Sequence, residues 1–217
     1  MDSREYWDNK IIAWEDSLSS SEGLSFVETL ASKFRKPLKV RSELCLDILK
    51  KNARNKSVLE LGCGSGYFAF RMRREAGPHS IVGVDVSRRA IERARRLQKE
   101  LDITGGLAFI EGDANSIHLP KADITVGLGF LDYLTAEEIV ALFKNLKSEY
   151  FVFTFSEKKF SLLRLLHMLY LISQRCPKHY YYTKYDMRLC AEQRHKDVRI
   201  ISHHTMLFGC IIHNLPY

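Results

Sequence analysis

Val58-Leu59-Glu60-Leu61-Gly62-Cys63-Gly64-Ser65-Gly66-Tyr67-Phe68 decides the fold of this chain, read with Ile81-Val82-Gly83-Val84-Asp85 a little further on. An apolar strand runs into a glycine-packed turn and a helix, and a second apolar strand ends in a carboxylate about one strand-helix-strand unit later. This is the layout of a nucleoside-binding edge on an open parallel sheet. Gly62, Gly64 and Gly66 have no Cβ, so the backbone there can take positive φ and let a ligand come into van der Waals contact.

The spacing separates one class of ligand from another. The chain reads G-x-G-x-G, whereas the dinucleotide fingerprint is G-x-G-x-x-G/A, and Tyr67 stands where its last small residue belongs. NAD and FAD are therefore disfavoured. Asp85 lies 19 residues past Gly66, at an expected strand end, where a carboxylate can accept from ribose hydroxyls. Glu60 places a negative charge at the mouth of the site, which repels a pyrophosphate and attracts a ligand carrying an ammonium and a sulfonium. The charge pattern favours S-adenosyl-L-methionine, with S-adenosyl-L-homocysteine as its product.

Two more runs continue the pattern. Leu107-Ala108-Phe109-Ile110-Glu111-Gly112-Asp113-Ala114 reads as a strand ending in an acidic loop, and Ala122-Asp123-Ile124-Thr125-Val126-Gly127-Leu128-Gly129 as a strand entering a glycine turn. From about residue 57 to 150 the chain resembles the core of the class I S-adenosylmethionine-dependent methyltransferases. ELGCGSG is similar to that family's cofactor loop, VGVDVS to its ribose-binding strand end, EGDA to its adenine loop and ADITVGLGFLDYL to its reaction-site strand. The resemblance implies that Asp85, with Val86 beside it, binds the ribose hydroxyls, that Asp113 accepts from the adenine amine, and that the Ala114 amide faces the ring. It also implies that Glu60 and the backbone of Gly62 and Gly64 hold the methionine part, with Gly66 in the same cofactor-binding turn, and that Leu128 and Gly129 line the point where methyl group and acceptor meet. For each acid the competing role is a solvated strand end or a helix cap.

Composition bounds the rest. A chain of 217 residues, 46% hydrophobic and 27% charged, supports one sizeable core. The expected plan is a single domain over 1–217: a helical lid over 1–36, a cofactor-binding core over 37–157, and a cap helix, tyrosine loop and final strands over 158–217. Helices are expected over 4–16 and 24–34, joined by the serine-rich 17–23, and Pro37 suits the first turn of a third, where Leu38, Arg41, Leu44, Cys45, Ile48 and Leu49 recur at helical spacing. Strands over 57–61, 80–85, 107–111, 122–127 and 149–155 alternate with helices over 65–76, 87–101 and 135–147, the last capped by Thr135 with Glu138 three residues on. This order predicts a Rossmann-like three-layer α/β sandwich with a mostly parallel seven-stranded sheet, closed by strands over 197–202 and 206–213. The resemblance implies that the last strand is antiparallel.

Five cysteines, odd in number and without a C-x-x-C pair, suit the reduced thiols of a cytosol, and the N-terminus lacks a basic and then apolar leader, so the expected location is cytoplasmic. No metal-ligand spacing stands out, and His203 and His204 are read as strand neighbours pointing to opposite faces.

The last third carries the acceptor question. Residues 160–173 are strongly apolar but too short for the ~20 residues of a membrane span. A buried cap helix is the first reading, and a roof over the acceptor or peripheral membrane contact the second. Four tyrosines fall within 180–185, and Tyr181 and Tyr182 with His179 read as a segment closing over the acceptor or as an anchored aromatic loop, before a helix from Thr183 to about Gln193. Aromatic faces also stabilise a sulfonium, so Tyr6, Trp7 and Trp14 are read as a lid.

Direct methyl displacement needs no covalent protein intermediate, and a base only if the nucleophile must lose a proton; Asp132, Tyr133 and His118 are the catalytic candidates, with His179 beside them, and a structural role competes for each. Net charge +7 collects in Arg71, Arg73, Arg74, Arg88, Arg89, Arg93, Arg95 and Arg96, on the outer helices. Nucleic acid or protein as acceptor is therefore the alternative to a small-molecule, lipid or glycan-precursor acceptor, and a non-catalytic binding protein on this fold is the second alternative.

Overall fold

The computed structural model describes residues 3–19, 26–159, 161–173, 176 and 179–216. The elements are α1 (Ser3–Ser19), α2 (Phe26–Asn52), β1 (Ser57–Leu61), α3 (Tyr67–Glu75), β2 (Ser80–Asp85), α4 (Arg88–Glu100), β3 (Leu107–Glu111), β4 (Ile124–Gly127), α5 (Ala136–Asn145), β5 (Tyr150–Ser156), α6 (Leu162–Ser173), α7 (Lys184–Glu192), β6 (Arg199–Ser202) and β7 (Gly209–His213). Short 3₁₀ turns stand at Leu131–Tyr133 and His204–Met206.

The strands form one seven-stranded sheet in the order β3-β2-β1-β4-β5-β7-β6. β1 to β5 pair in parallel, and β7 lies antiparallel between β5 and β6, with Ile211 opposite both Thr154 and Ile201. The expected Rossmann-like sandwich is thus present, with the last strand reversed. After β3 the chain returns across β1 to β4, and such a reversal opens a crevice at the carboxyl ends of β1 and β4.

Helices cover both faces. Cys45, Leu46, Leu49, Ala69, Met72, Ile91 and Ala94 bring α2, α3 and α4 onto one face, while Ile139, Leu142, Phe143, Met187 and Ala191 bring α5 and α7 onto the other. β5 shows why such a strand is apolar throughout. Phe151, Phe153 and Phe155 are fully buried, and Phe143 meets the rings of Phe151 and Phe153 edge-on at 5.1 and 5.7 Å. Burying each such side chain contributes roughly 1.5–3 kcal/mol. Caps fix the helix starts: Thr135 Oγ1 accepts from Glu138 N while Glu138 Oε2 accepts from Thr135 N, and Thr183 and Asp186 repeat the arrangement on α7.

Three expectations change. Pro37 does not open a helix; α2 runs continuously from Phe26 through Pro37, with the proline inside it. One internal hydrogen bond is forgone, and the apolar side of α2 packed on α3 and β7 carries the helix through. The lid boundary expected at residue 36 consequently falls inside α2. α1 extends to Ser19, beyond its expected end at 16, so the serine link begins later than its composition suggests. His203 and His204 are not strand neighbours on opposite faces, because the chain leaves β6 at Ser202 and their rings lie 4.1 Å apart at the 3₁₀ turn, with His203 accepting from the Thr205 amide.

Candidate active site

The glycine turn after β1 sits at the crevice, and its backbone is the first element of the site. Gly62, Gly64 and Gly66 have φ of 69°, 53° and 80°, and a Cβ on Gly66 would stand 2.6 Å from Phe109 Cζ. Only glycine satisfies both demands. Gly64 N donates to Asp85 Oδ2 at 2.8 Å and Ser87 N donates to Asp85 Oδ1 at 2.8 Å, so the acid at the end of β2 is held against the turn. Burial pushes the Asp85 carboxyl up from its ordinary range; the Ser87, Gly64 and Val86 amides pull it back, and neighbouring Asp8 adds to the rise. Glu60 is 2% exposed at the end of β1.

On the β4 side the turn is open. Gly129 has φ 69°, its amide donates to Thr154 Oγ1 at 2.6 Å, and a Cβ built there would meet nothing within 4 Å. Leu128 is half-buried beside it. Phe130 joins the two sides, since its Cδ2 would lie 3.1 Å from a Cβ on Gly62. At the end of β3, Asp113 turns its carboxylate to its own loop: Oδ1 accepts from Asn115 N at 2.9 Å and Oδ2 from Ser116 Oγ at 3.1 Å, with Ala114 half-buried between.

α1 crosses this edge and touches both halves. Asp8 Oδ1 accepts from Ser87 Oγ at 2.6 Å and from Arg89 N at 3.1 Å, which seats the helix beside Asp85 and on the N-terminus of α4. Trp7 stands edge-on to Tyr133 at 5.0 Å and to Tyr6 at 5.1 Å, with Tyr6 buried. The side chain of Trp14 lies outside the described residues.

The catalytic candidates divide. Asp132 is buried and both its oxygens face Ser156, accepting from its amide at 2.6 Å and its hydroxyl at 3.1 Å. Its own carbonyl accepts from Tyr180 N at 2.7 Å. Asp132 is therefore the post to which the end of β5 and the tyrosine segment are tied. Burial raises the Tyr133 phenol well above its ordinary value, so it stays protonated. His118 is exposed and bonded to Lys147 at 2.6 Å, just ahead of the amino end of β5, and so is not brought to the group around Asp132.

His179 does join that group. Its side chain is 8% exposed, its Nε2 lies 3.8 Å from Asp132 Oδ2, and its ring meets Tyr133 at 5.6 Å, His167 at 5.3 Å and Tyr181 at 4.8 Å. His167 Nδ1 and the Tyr181 hydroxyl share a hydrogen bond of 2.8 Å. Burial lowers the pKa of both histidines, with the His167 ring at about 3, and drives the Tyr181 phenol up to about 12. Tyr182 N donates to Ser156 O and Tyr182 O accepts from Lys158 N, so the segment is laced along the end of β5, and the Tyr182 hydroxyl donates to Leu134 O.

α6 is not a buried cap. Arg164 and His167 face the tyrosines, while Leu165, Met168, Leu169 and Ile172 are 51%, 40%, 55% and 68% exposed, an apolar stripe on its outer side. Among the described residues no helix is long and apolar enough to cross a membrane. The basic helices are largely satisfied from within: Arg71 grips Glu43 through two bonds, Arg95 donates to Phe109 O, and Arg74, Arg88 and Arg96 pair with Glu75, Glu92 and Glu100. Asp8, Thr154 and His167 contact Ser87, Gly129 and Tyr181 of this edge, and Arg41 packs on Gly209 at the start of β7; none of the four was read as a site residue. Arg41 carried a signal as a charge at helical spacing among apolar residues, and His167 as a polar break in the apolar run 160–173.

Known proteins place this architecture. A magnesium protoporphyrin IX methyltransferase from Synechocystis PCC 6803, solved with bound S-adenosylhomocysteine, superposes with a TM-score of 0.72 over 97% of this chain and 96% of that one, at 18% identity. A geranyl diphosphate C-methyltransferase from Streptomyces coelicolor A3(2) superposes at 0.67 over 99% and 97%, at 12% identity. A possible exported protein from Bordetella parapertussis reaches 0.79 over 95% of this chain and 79% of that one, at 16% identity. No curated protein matches the sequence. The family model described as a methyltransferase domain matches residues 52–195, and the chain thus belongs to the methyltransferase domain family.

Proposed function

We propose that this protein uses S-adenosyl-L-methionine to methylate an oxygen or nitrogen of a small-molecule, lipid or glycan-precursor acceptor. One observation carries the reading: the three positive-φ glycines, the buried Glu60, the amide-pinned Asp85 and the open floor at Gly129 all meet where the strand order reverses. The residues fit the group. Glu60 supplies the negative charge its ammonium and sulfonium need, and the glycine turn leaves room for the methionine chain. The amides of Gly64 and Ser87 take one lone pair on each Asp85 oxygen and Val86 adds a third, which leaves the carboxylate lone-pair capacity for ribose hydroxyls. Asp113 and Ala114 border the adenine end, where the Asp113 carboxylate reaches the base by leaving its loop bonds or by sharing them.

When bound, the cofactor supplies an electrophilic methyl group. The protein's part is to align the acceptor above Leu128 and Gly129 and to exclude water, and such alignment is worth roughly 7–11 kcal/mol of barrier. Trp7, Tyr133, His179 and Tyr181 build an aromatic wall on that side. His179 is held neutral by burial and can take a proton from a hydroxyl within reach. The exposed stripe on α6 supports an amphipathic acceptor, and the internal pairing of the arginines weighs against nucleic acid.

Calorimetry tests the reading. We expect S-adenosylmethionine to bind at micromolar concentration and Asp85→Ala to weaken it at least tenfold, about 1.4 kcal/mol. No binding at high micromolar concentration, or binding indifferent to Asp85→Ala, rejects it.

A further inference from the structure

Arg41 is a charged residue in the wrong place for a structural one. It projects from α2 onto the start of β7, is 8% exposed, and its Nε and Nη1 find no hydrogen-bond partner. No carboxylate of the described residues pairs with it. A guanidinium carries five donors and no means of shedding its charge, so leaving it buried and unpaired is costly unless something else brings the countercharge. Its stem is deliberately accommodated: a Cβ on Gly209 would stand 2.5 Å from Arg41 Cδ and 2.9 Å from Nε.

Gly209, on which the Arg41 stem rests, pairs with Ser156, the residue that holds Asp132 beside Tyr133 and His179 of the aromatic wall. The Arg41 charge is felt at Tyr133 and His179 and at neighbouring His167. A second orphan belongs to the same cluster, because His179 Nδ1 is buried without a partner while its other nitrogen faces Asp132. Asp132 does not neutralise Arg41, since both its oxygens are taken up by Ser156.

From this geometry we infer that the acceptor carries an oxyanion, a carboxylate or a phosphate, and that Arg41 is the residue that holds it. The inference rests on the methyltransferase reading and adds the acceptor's charge. Planar bidentate recognition of an oxyanion is what a guanidinium does best, and burial among apolar side chains makes such a pairing stronger than it would be in water. The Gly209 contact fixes which way the guanidinium points, as a specificity device should.

The test is anion-dependent thermal unfolding of the full chain saturated with S-adenosylhomocysteine, comparing inorganic phosphate and benzoate, each at about 10 mM, against chloride at equal ionic strength. For a site of millimolar affinity we expect a rise in Tm of about 3 °C with at least one of the two anions. Phosphate alone points to a phosphorylated acceptor, benzoate alone to a carboxylate. Arg41→Met should abolish the rise while its own Tm without anion equals or exceeds that of the parent, since an uncompensated buried charge has been removed. Gly209→Ala keeps the charge but pushes the stem aside and should weaken the anion at least several-fold. Loss of anion binding with S-adenosylhomocysteine affinity intact supports the inference. An equal rise in Arg41→Met, no rise in the parent, or a lower Tm of Arg41→Met without anion overturns it. Failure of the parent to bind S-adenosylhomocysteine would instead remove the methyltransferase reading beneath it.

Discussion

The donor half and the acceptor half that we propose for this site are built by opposite strategies. On the donor side, Glu60, the glycine turn, Asp85 and Asp113 come from the carboxyl ends of three neighbouring parallel strands, each within one short run of sequence. On the acceptor side, Trp7, Arg41, Tyr133, His167, His179 and Tyr181 come from α1, α2, the turn after β4, α6 and the segment before α7. One half is backbone geometry, and the other is side chains gathered from across the chain. A backbone-built site tolerates few residue types at its turns, whereas a gathered wall can change its chemistry one side chain at a time.

Three measurements would break or sharpen that contrast. The largest effect is expected on the donor side. Gly66→Val combines positive φ with a Cβ against Phe109, so strain of about 1–2 kcal/mol and overpacking of about 1–3 kcal/mol should cost roughly 2–5 kcal/mol in denaturant unfolding. A loss below about 1 kcal/mol would show that the turn is not rigid.

Next is the post between the halves. Asp132→Ala leaves the buried Ser156 amide and hydroxyl without their acceptors, which should cost about 1–3 kcal/mol and increase proteolysis between residues 179 and 182. Cofactor affinity should hold within a few-fold. A large loss of cofactor affinity would mean that the two halves are one cooperative unit.

The smallest effect is pH-dependent. The His167 ring titrates at about 3 in the folded chain and near 6.5 unfolded, so the unfolded chain binds more protons between those values. Its neutral burial costs nothing above pH 6.5 and destabilises increasingly as pH falls below it, by at most ~1.4 kcal/mol per pH unit and less where water reaches the ring. His167→Phe should flatten the fall in Tm between pH 6.5 and 5, and an unchanged slope would show that water already solvates this ring.

The same contrast explains what could be read from residues alone. The succession of strands and helices, the glycine turn after β1 and the Thr135 cap were legible because each depends on neighbours within a few positions, whereas the order of the strands in the sheet depends on pairings far apart in sequence. Pro37 misled because a local breaker was overridden by the packing of α2 on α3 and β7. The outward stripe of α6 was hidden because periodicity marks an apolar face without saying what that face meets. Arg41 could be noticed and not understood: a charge at an apolar spacing is visible, whereas the absence of a partner is a property of the folded whole. His118 shows the converse, a residue placed by proximity in sequence to the adenine loop and carried by the chain to Lys147 instead.

The reversed strand sets an order of assembly. β7 is made after every other strand yet lies inside the sheet, so β5 emerges from the ribosome with a bare hydrogen-bonding edge and β6 has no neighbour to join until residues 209–213 arrive. The cofactor edge can be complete while Gly209, the seat of Arg41, does not yet exist. On the proposed reading, a nascent or truncated chain ending before β7 would have the donor edge without the seat of Arg41, and an open strand edge prone to pair with another chain.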